Sequence, residues 1–182
     1  MTYLGIDIGS TCAKSVIMNK ERGILDTFVI PTGWSSLEAL KEIKEKLRIK
    51  GYNFEDMYCI STGYGRQAVE GAKKRVTEIT CHAKGASVLF GEDTFNIVDI
   101  GGQDTKVISC HKGKVMEFYM NDKCSAGTGK FLEIMANRLN VTLADLDRIA
   151  RGPYGTIANQ RHVYGFCRIG NRFPYRAGNV KT

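Results

Sequence analysis

One turn design occurs twice in this chain. Gly5-Ile-Asp-Ile-Gly-Ser-Thr-Cys-Ala-Lys14 and Ile97-Val-Asp-Ile-Gly-Gly-Gln-Asp-Thr-Lys106 each carry an apolar run ending in Asp-Ile-Gly, then small polar residues, then a lysine seven positions after the aspartate. The apolar run reads as a buried strand, and glycine directly after it lets the backbone turn sharply and approach a ligand closely. Successive N–H groups in such a turn form an anion nest. Ser10, Thr11, Gln103 and Thr105 add side-chain donors beside it. Asp7 and Asp99 close each strand at the mouth of the turn, where a carboxylate can hold Mg²⁺ through water and orient a nucleophilic water toward a γ-phosphate. An aspartate in that place can also simply cap its own turn, and it is the repetition that favours a functional pair. Two such turns predict two lobes closing on one nucleotide–metal complex. Lys14 and Lys106 each read either as a phosphate contact or as a lysine on an outward strand face. Neither turn is a P-loop, because Gly-x-x-x-x-Gly-Lys-Ser/Thr is absent.

Around these turns the hydrophobic pattern predicts an α/β chain. Tyr3–Ile8, Lys14–Asn19 and Ile24–Pro31 read as a meander of three strands. Ser35-Ser-Leu-Glu38 resembles a capping box, followed by Leu37, Leu40, Ile43 and Leu47 at helical spacing, with Gly51 as the stop. Met57–Thr62 reads as a further strand, and Thr80–Phe90 as a helix bridging to a second lobe. The order then restarts: strands at Phe95–Ile100, Thr105–Cys110 and Val115–Met120, a hairpin turn at His111-Lys-Gly113, and helices after Gly129 and over Val141–Ala150. Matching strands after matching motifs imply an internal duplication. The predicted organisation is a first lobe over 1–92, the start of a second over 93–150, and a tail over 151–182.

The chain has 182 residues and a formal charge of +7, which would ordinarily raise nucleic acid as a partner. The charge is local. Arg151, Arg161, Arg168, Arg172, Arg176 and Lys181 lie in the tail without an acid, leaving 20 of the 26 bases against 19 acids elsewhere. A nearly neutral body argues against nucleic acid. No apolar run approaches the roughly 18 residues of a membrane span, and the first residues lack a secretory pattern, so a cytoplasmic location without membrane association is expected.

Six cysteines form no Cys-x-x-Cys pair, against a zinc ribbon. Cys59 and Cys110 lie inside apolar runs as small hydrophobes. Cys124 is different. It stands beside Lys123 and just before Ser125-Ala-Gly-Thr-Gly-Lys130, which places Gly127 and Gly129 at a helix N-terminus. Positive potential there suits an anion and, at the sulfur, metal or cluster binding, the alternative being an unreactive loop thiol. One cysteine cannot hold a cluster alone, so sharing across a dimer is required. His82, His111 and His162 have no partner at ligand spacing and are assigned no catalytic role.

Taken together, Gly5–Thr11, Ser61-Thr-Gly-Tyr-Gly-Arg66, Thr77-Glu-Ile-Thr-Cys-His-Ala-Lys-Gly85, Asp99–Lys106 and Asn121–Glu133 resemble the ATP-dependent activators of 2-hydroxyacyl-CoA dehydratases and benzoyl-CoA-type reductases. The resemblance covers roughly residues 1–150. It implies an actin-like (ribonuclease H-like) ATPase fold with duplicated mixed-sheet lobes, the second of them incomplete here. It implies ATP and Mg²⁺, a homodimer sharing a 4Fe-4S cluster, a 2-hydroxyacyl-CoA dehydratase-type partner, and reduced ferredoxin or flavodoxin as electron donor. Carried onto this chain, the nucleotide would be bound by Gly9, Ser10, Thr11, Cys12, Ala13 and Lys14 in the first turn. Gly101, Gly102, Gln103 and Asp104 would bind it in the second, with Gly127 and Gly129 beyond. Asp7, Asp99 and Gln103 would serve catalysis, and Cys124 would be the first cluster ligand. Cys12 stands where the family commonly has threonine. A small-molecule kinase of the same superfamily, or a non-functional truncated remnant with uncovered strands over 95–120, are the alternative readings.

Members of that family run on past this terminus and carry a second cluster cysteine there. With suitable codons, Asn159–Gly170 read one nucleotide later gives Ile-Ser-Gly-Thr-Cys-Thr-Val-Phe-Ala-Glu-Ser-Glu, which resembles that missing segment. The expectation is therefore a tail translated in a shifted frame, disordered, with Cys167 not the second ligand.

Overall fold

A computed structural model of the protein describes residues 1–150. The expectations for 151–182, including the shifted frame and Cys167, lie outside the described residues. The first sheet is built from β1 (Thr2–Ile8), β2 (Cys12–Met18), β3 (Ile24–Pro31), β4 (Met57–Thr62) and the two-residue β5 (Lys74–Arg75), in the order β3-β2-β1-β4-β5. It is mixed: β1 pairs antiparallel with β2 and parallel with β4. The second sheet is an antiparallel meander of β6 (Phe95–Ile100), β7 (Thr105–His111) and β8 (Lys114–Asn121). Every strand but β5 falls where the sequence predicts it, within a few residues at each end; the two-residue β5 has no counterpart in the sequence reading.

Helix α1 (Ser36–Ile49) makes the crossover between β3 and β4. The predicted cap forms, with Ser35 Oγ accepting from the Glu38 N–H, and Gly51 follows the helix at φ +81°. Leu40, Ile43 and Leu47 recur on one helical stripe and bury against Leu4, Ile6 and Ile8 of β1, whose period-2 alternation turns those residues to the same side. Cys59 sits in this core, and burial pushes its thiol up to about 11, with a small opposing pull from Lys44.

Helix α2 (Glu78–Phe90) covers one face of the second sheet, Ala83 and Ile79 packing with Ile108 and Cys110. The opposite face leaves Val98 and Ile100 exposed. Lys112 and Gly113 both take positive φ in the β7–β8 hairpin, the twist such a tight turn requires. Helices α3 (Gly129–Arg138) and α4 (Leu143–Ala150) complete the described chain.

Ile43 is fully buried at the centre of the α1 stripe. Ile43→Ala is expected to lower unfolding free energy by about 2–5 kcal/mol, read as a fall in urea midpoint at unchanged m-value. The thiolate is the reactive form of cysteine, and Cys59 holds little of it below pH 9. Thiol titration at pH 8 should therefore leave Cys59 unmodified until the fold opens. Its neutral form adds stability that is complete below about pH 9 and lost as pH rises toward about 11.

Candidate functional site

The repeated motif has a simple structural cause. Asp7 lies opposite Lys14 in the β1–β2 register, and Asp99 opposite Lys106 in the β6–β7 register. The seven-residue spacing is a hairpin in which the pairs Ile8–Ala13 and Ile100–Thr105 close four-residue turns. Both turns are tied by the same bond: Gly9 N–H donates to the Cys12 carbonyl at 3.1 Å, and Gly101 N–H to the Asp104 carbonyl at 2.8 Å. Between those ties, the N–H groups of Ser10, Thr11, Gly102 and Gln103 donate to no acceptor among the described residues.

Each turn is braced from behind. Thr32 donates its hydroxyl to the Gly9 carbonyl at 2.7 Å and its N–H to the Thr11 carbonyl at 2.9 Å. The second turn is held by the N-terminus of α3: Gly129 and Lys130 N–H donate to the carbonyls of Gly101 and Gly102 at 2.9 and 2.8 Å. Two donors that the sequence offers to an anion are thus spent on the protein itself. Gly127 and Gly129 line neither of the clefts described below.

The two turns meet. A side-chain carbon on Gly102 would fall within 3 Å of the Thr11 side chain, so only glycine permits the approach. A cleft of about 370 Å³ lies between them, lined by Asp7, Gly9, Ser10 and Thr11 from one side and by Asp99, Gly101 and Gly102 from the other. A neighbouring cleft of about 370 Å³ shares Gly9, Ser10, Tyr64 and Asp104 with it and adds Gln103, Trp34 and Asp122. Gln103 lines the second of these clefts and not the first.

Asp7 is set by its neighbours. Its Oδ2 pairs with Lys14 Nζ at 3.1 Å, while Oδ1 is buried without a hydrogen-bond partner. Gly63, at φ +83°, lies over that oxygen so closely that a Cβ would collide with both Oδ1 and the Ile8 carbonyl. The Ser61–Arg66 segment holds Gly63 there, with Arg66 donating to the Gly63 carbonyl at 2.9 Å and Ser61 Oγ to the Arg66 carbonyl at 3.0 Å.

Asp99 sits in a denser arrangement. Lys106 is only 2% exposed, and its Nζ lies 2.8 Å from Asp104, 2.9 Å from Glu78 and 3.5 Å from Asp99. Burial works against the ammonium, but the hydrogen bonds it donates to Asp104 and Glu78 outweigh that and hold Lys106 well above the ordinary lysine value. His82 Nδ1 approaches Asp99 Oδ2 to 3.1 Å. Lys106 is thus a buried counter-ion, which corrects its reading as an outward-facing lysine. Lys14 fits the exposed role, at 57% side-chain exposure.

Sequence reasoning missed Glu78 and His82. They share one face of α2 at i, i+4, but a helix predicted to begin at Thr80 leaves Glu78 outside it. The structure starts the helix at Glu78, capped by Thr77. Lys106 had a signal too, since it is in phase with Ile108 and Cys110, the buried positions of β7.

Cys124 occupies a loop pinned by Asn121, whose side chain accepts from the Cys124 N–H at 3.3 Å and donates to its carbonyl at 3.0 Å. It is half-buried and lines neither cleft, and Ala13 is absent from both linings as well.

Residues 4–168 match the BadF/BadG/BcrA/BcrD ATPase family. The chain belongs to that family. It is 43% identical over 145 residues to the (R)-2-hydroxyglutaryl-CoA dehydratase activating ATPase of Acidaminococcus fermentans, covering 79% of this chain and 55% of that protein. It is 43% identical over 155 residues to the activator of lactoyl-CoA dehydratase of Anaerotignum propionicum, covering 82% and 60%. The solved structure of the activator of the 2-hydroxyisocaproyl-CoA dehydratase from Clostridium difficile with bound ADPNP superposes at a TM-score of 0.77 and 36% identity, over 86% of this chain and 59% of that one. The ethanolamine utilization protein EutJ, at 16% identity and a TM-score of 0.58, shares the fold. The fold is accordingly the actin-like ATPase fold. The chain spans a little over half the length of the curated relatives it matches, and no helix among its described residues is long and apolar enough to cross a membrane.

The Gly63 geometry is directly testable. Gly63→Ala forces an L-residue into left-handed backbone against Asp7, and is expected to cost about 1–3 kcal/mol in chemical denaturation. Gly85→Ala, where nothing lies within 4 Å of the added carbon, should be neutral or stabilising.

Proposed function

We propose that this chain is the phosphate-gripping part of a cytoplasmic, ATP-hydrolysing activator of a 2-hydroxyacyl-CoA dehydratase or related CoA-ester reductase. The observation that carries the proposal is the convergence of both Asp-Ile-Gly turns on one cleft, with four turn N–H groups unengaged and the Asp7 Oδ1 without a partner. Backbone donors arranged as a nest take phosphate oxygens without regard to the rest of the ligand. Ser10, Thr11 and Lys14 would grip from the first turn, and Gly101, Gly102 and Gln103 from the second. The buried, unsatisfied Asp7 oxygen fits a divalent cation or its bound water, since hard cations take carboxylate oxygen. Mg²⁺ bound with ATP would neutralise charge building on the transferred phosphoryl group. Asp7 and Asp99, on opposite walls, would orient the attacking water. The lobes 1–92 and 93–150 would then be the two walls whose angle responds to hydrolysis.

A 4Fe-4S cluster needs four thiolates. Among the described residues, Cys124 is the thiol placed by a pinned loop at the base of α3, and it fits as one ligand of a cluster shared across a homodimer. The cluster would supply a low-potential electron to the dehydratase partner, itself replenished by reduced ferredoxin or flavodoxin.

Trp34 is the only tryptophan and lies exposed in the cleft beside Gln103. Adding Mg-ATP should shift its fluorescence saturably, and Asp7→Asn should weaken that response about tenfold or more. Wild-type protein with no fluorescence or calorimetric response to Mg-ATP contradicts the reading. Anaerobic purification with iron–sulfur reconstitution tests the rest: a brown dimer with ATPase activity supports the activator reading, and Cys124→Ser should then be colourless. A colourless wild type that phosphorylates a metabolite would favour a kinase instead.

A further inference from the structure

The two hairpins are equivalent position by position, yet their lysines differ. Lys14 is exposed and meets one carboxylate, while Lys106 is buried and meets three. Two residues account for the difference. The turn position occupied by Cys12 in the first hairpin is Asp104 in the second, and α2 brings Glu78 over the second hairpin only. An ammonium enclosed this way costs free energy unless carboxylates surround it, and removing it would leave those carboxylates uncompensated.

The same place has the donor set of a divalent-cation site. One ligand atom each from Glu78, His82 and Asp99 lie within 4.8 Å of one another. Lys106 already engages two of these groups, Glu78 Oε1 and Asp99 Oδ2. A divalent ion and an ammonium competing for the same oxygens repel each other strongly at this range.

We propose that Lys106 is a built-in cation of this acidic cradle: it holds Glu78 of α2 against Asp99 and Asp104, and keeps Glu78, His82 and Asp99 from taking a divalent ion when no nucleotide is present. The divalent ion then enters the cleft with the triphosphate, on the Asp7 side, where an oxygen has no partner. Lys106 is thus a positioning and selectivity residue rather than a phosphate contact. The inference rests on the nucleotide reading for its purpose, but its geometry and its test do not require nucleotide.

The test is a nucleotide-free Mn²⁺ titration of the full chain followed by electron paramagnetic resonance of the unbound ion. In the wild type, His82→Ala and Glu78→Gln should leave Mn²⁺ affinity unchanged, because those groups are not available to the ion. Lys106→Met should raise affinity about tenfold or more, and adding His82→Ala to it should abolish the gain. Lys106→Arg, which keeps the charge, should stay near wild type. If Lys106→Met is unfolded in chelator, millimolar Mn²⁺ should restore its far-ultraviolet helix signal. The proposal is overturned if His82→Ala weakens Mn²⁺ binding in the wild type, if folded Lys106→Met binds no tighter, or if Mn²⁺ fails to refold an unfolded Lys106→Met. A protein that behaves as expected here but ignores Mg-ATP would refute the nucleotide reading and leave the role of Lys106 standing.

Discussion

A single buried ammonium ties the second half of this structure together. Lys106 Nζ joins strand β6 through Asp99, the second turn through Asp104 and helix α2 through Glu78. No other described contact brings a helix, a strand end and a turn to one charged atom. Buried ion pairs add little net stability compared with apolar packing, but they penalise alternative arrangements heavily. Here the constraint sets where α2 sits along the sheet. That in turn sets which wall of the cleft Glu78 and His82 join.

The first half solves the same geometric problem by packing. Ile43 and Leu47 of α1 clamp β1 from behind, so Asp7 is presented by a rigid strand and not by a salt-bridge network. Gly63 closes over Asp7 from above and Thr32 fixes the turn from the side. The outcome is one exposed lysine, one partly satisfied aspartate and a carboxylate oxygen left without a partner. The two turns therefore have equal shape and unequal electrostatics. The first is open to an incoming cation, and the second is already compensated.

Much of this was legible in the residues. The strands follow from apolar runs, α1 from its stripe and cap, and the pairing of the two turns from the repeated motif. What sequence could not supply was contact between segments far apart in the chain. The spacing from Asp99 to Lys106 reads the same whether the lysine faces out or in, and only the arrival of Glu78 from α2 decides. The donors of Gly129 and Lys130 look free in the sequence because their acceptors, the Gly101 and Gly102 carbonyls, lie nearly thirty residues upstream. His82 looked unpartnered for the same reason.

The central claim is that the two turns form one site. A crystal structure of the chain with Mn²⁺ and a non-hydrolysable ATP analogue tests it most directly, because the anomalous signal of manganese locates the ion independently of the nucleotide. The account predicts phosphate oxygens against the N–H groups of both Ser10–Thr11 and Gly102–Gln103, with manganese on the Asp7 side and Lys106 still bound to its three carboxylates. A triphosphate held by one turn alone, or manganese seated among Glu78, His82 and Asp99 with Lys106 displaced, would contradict it.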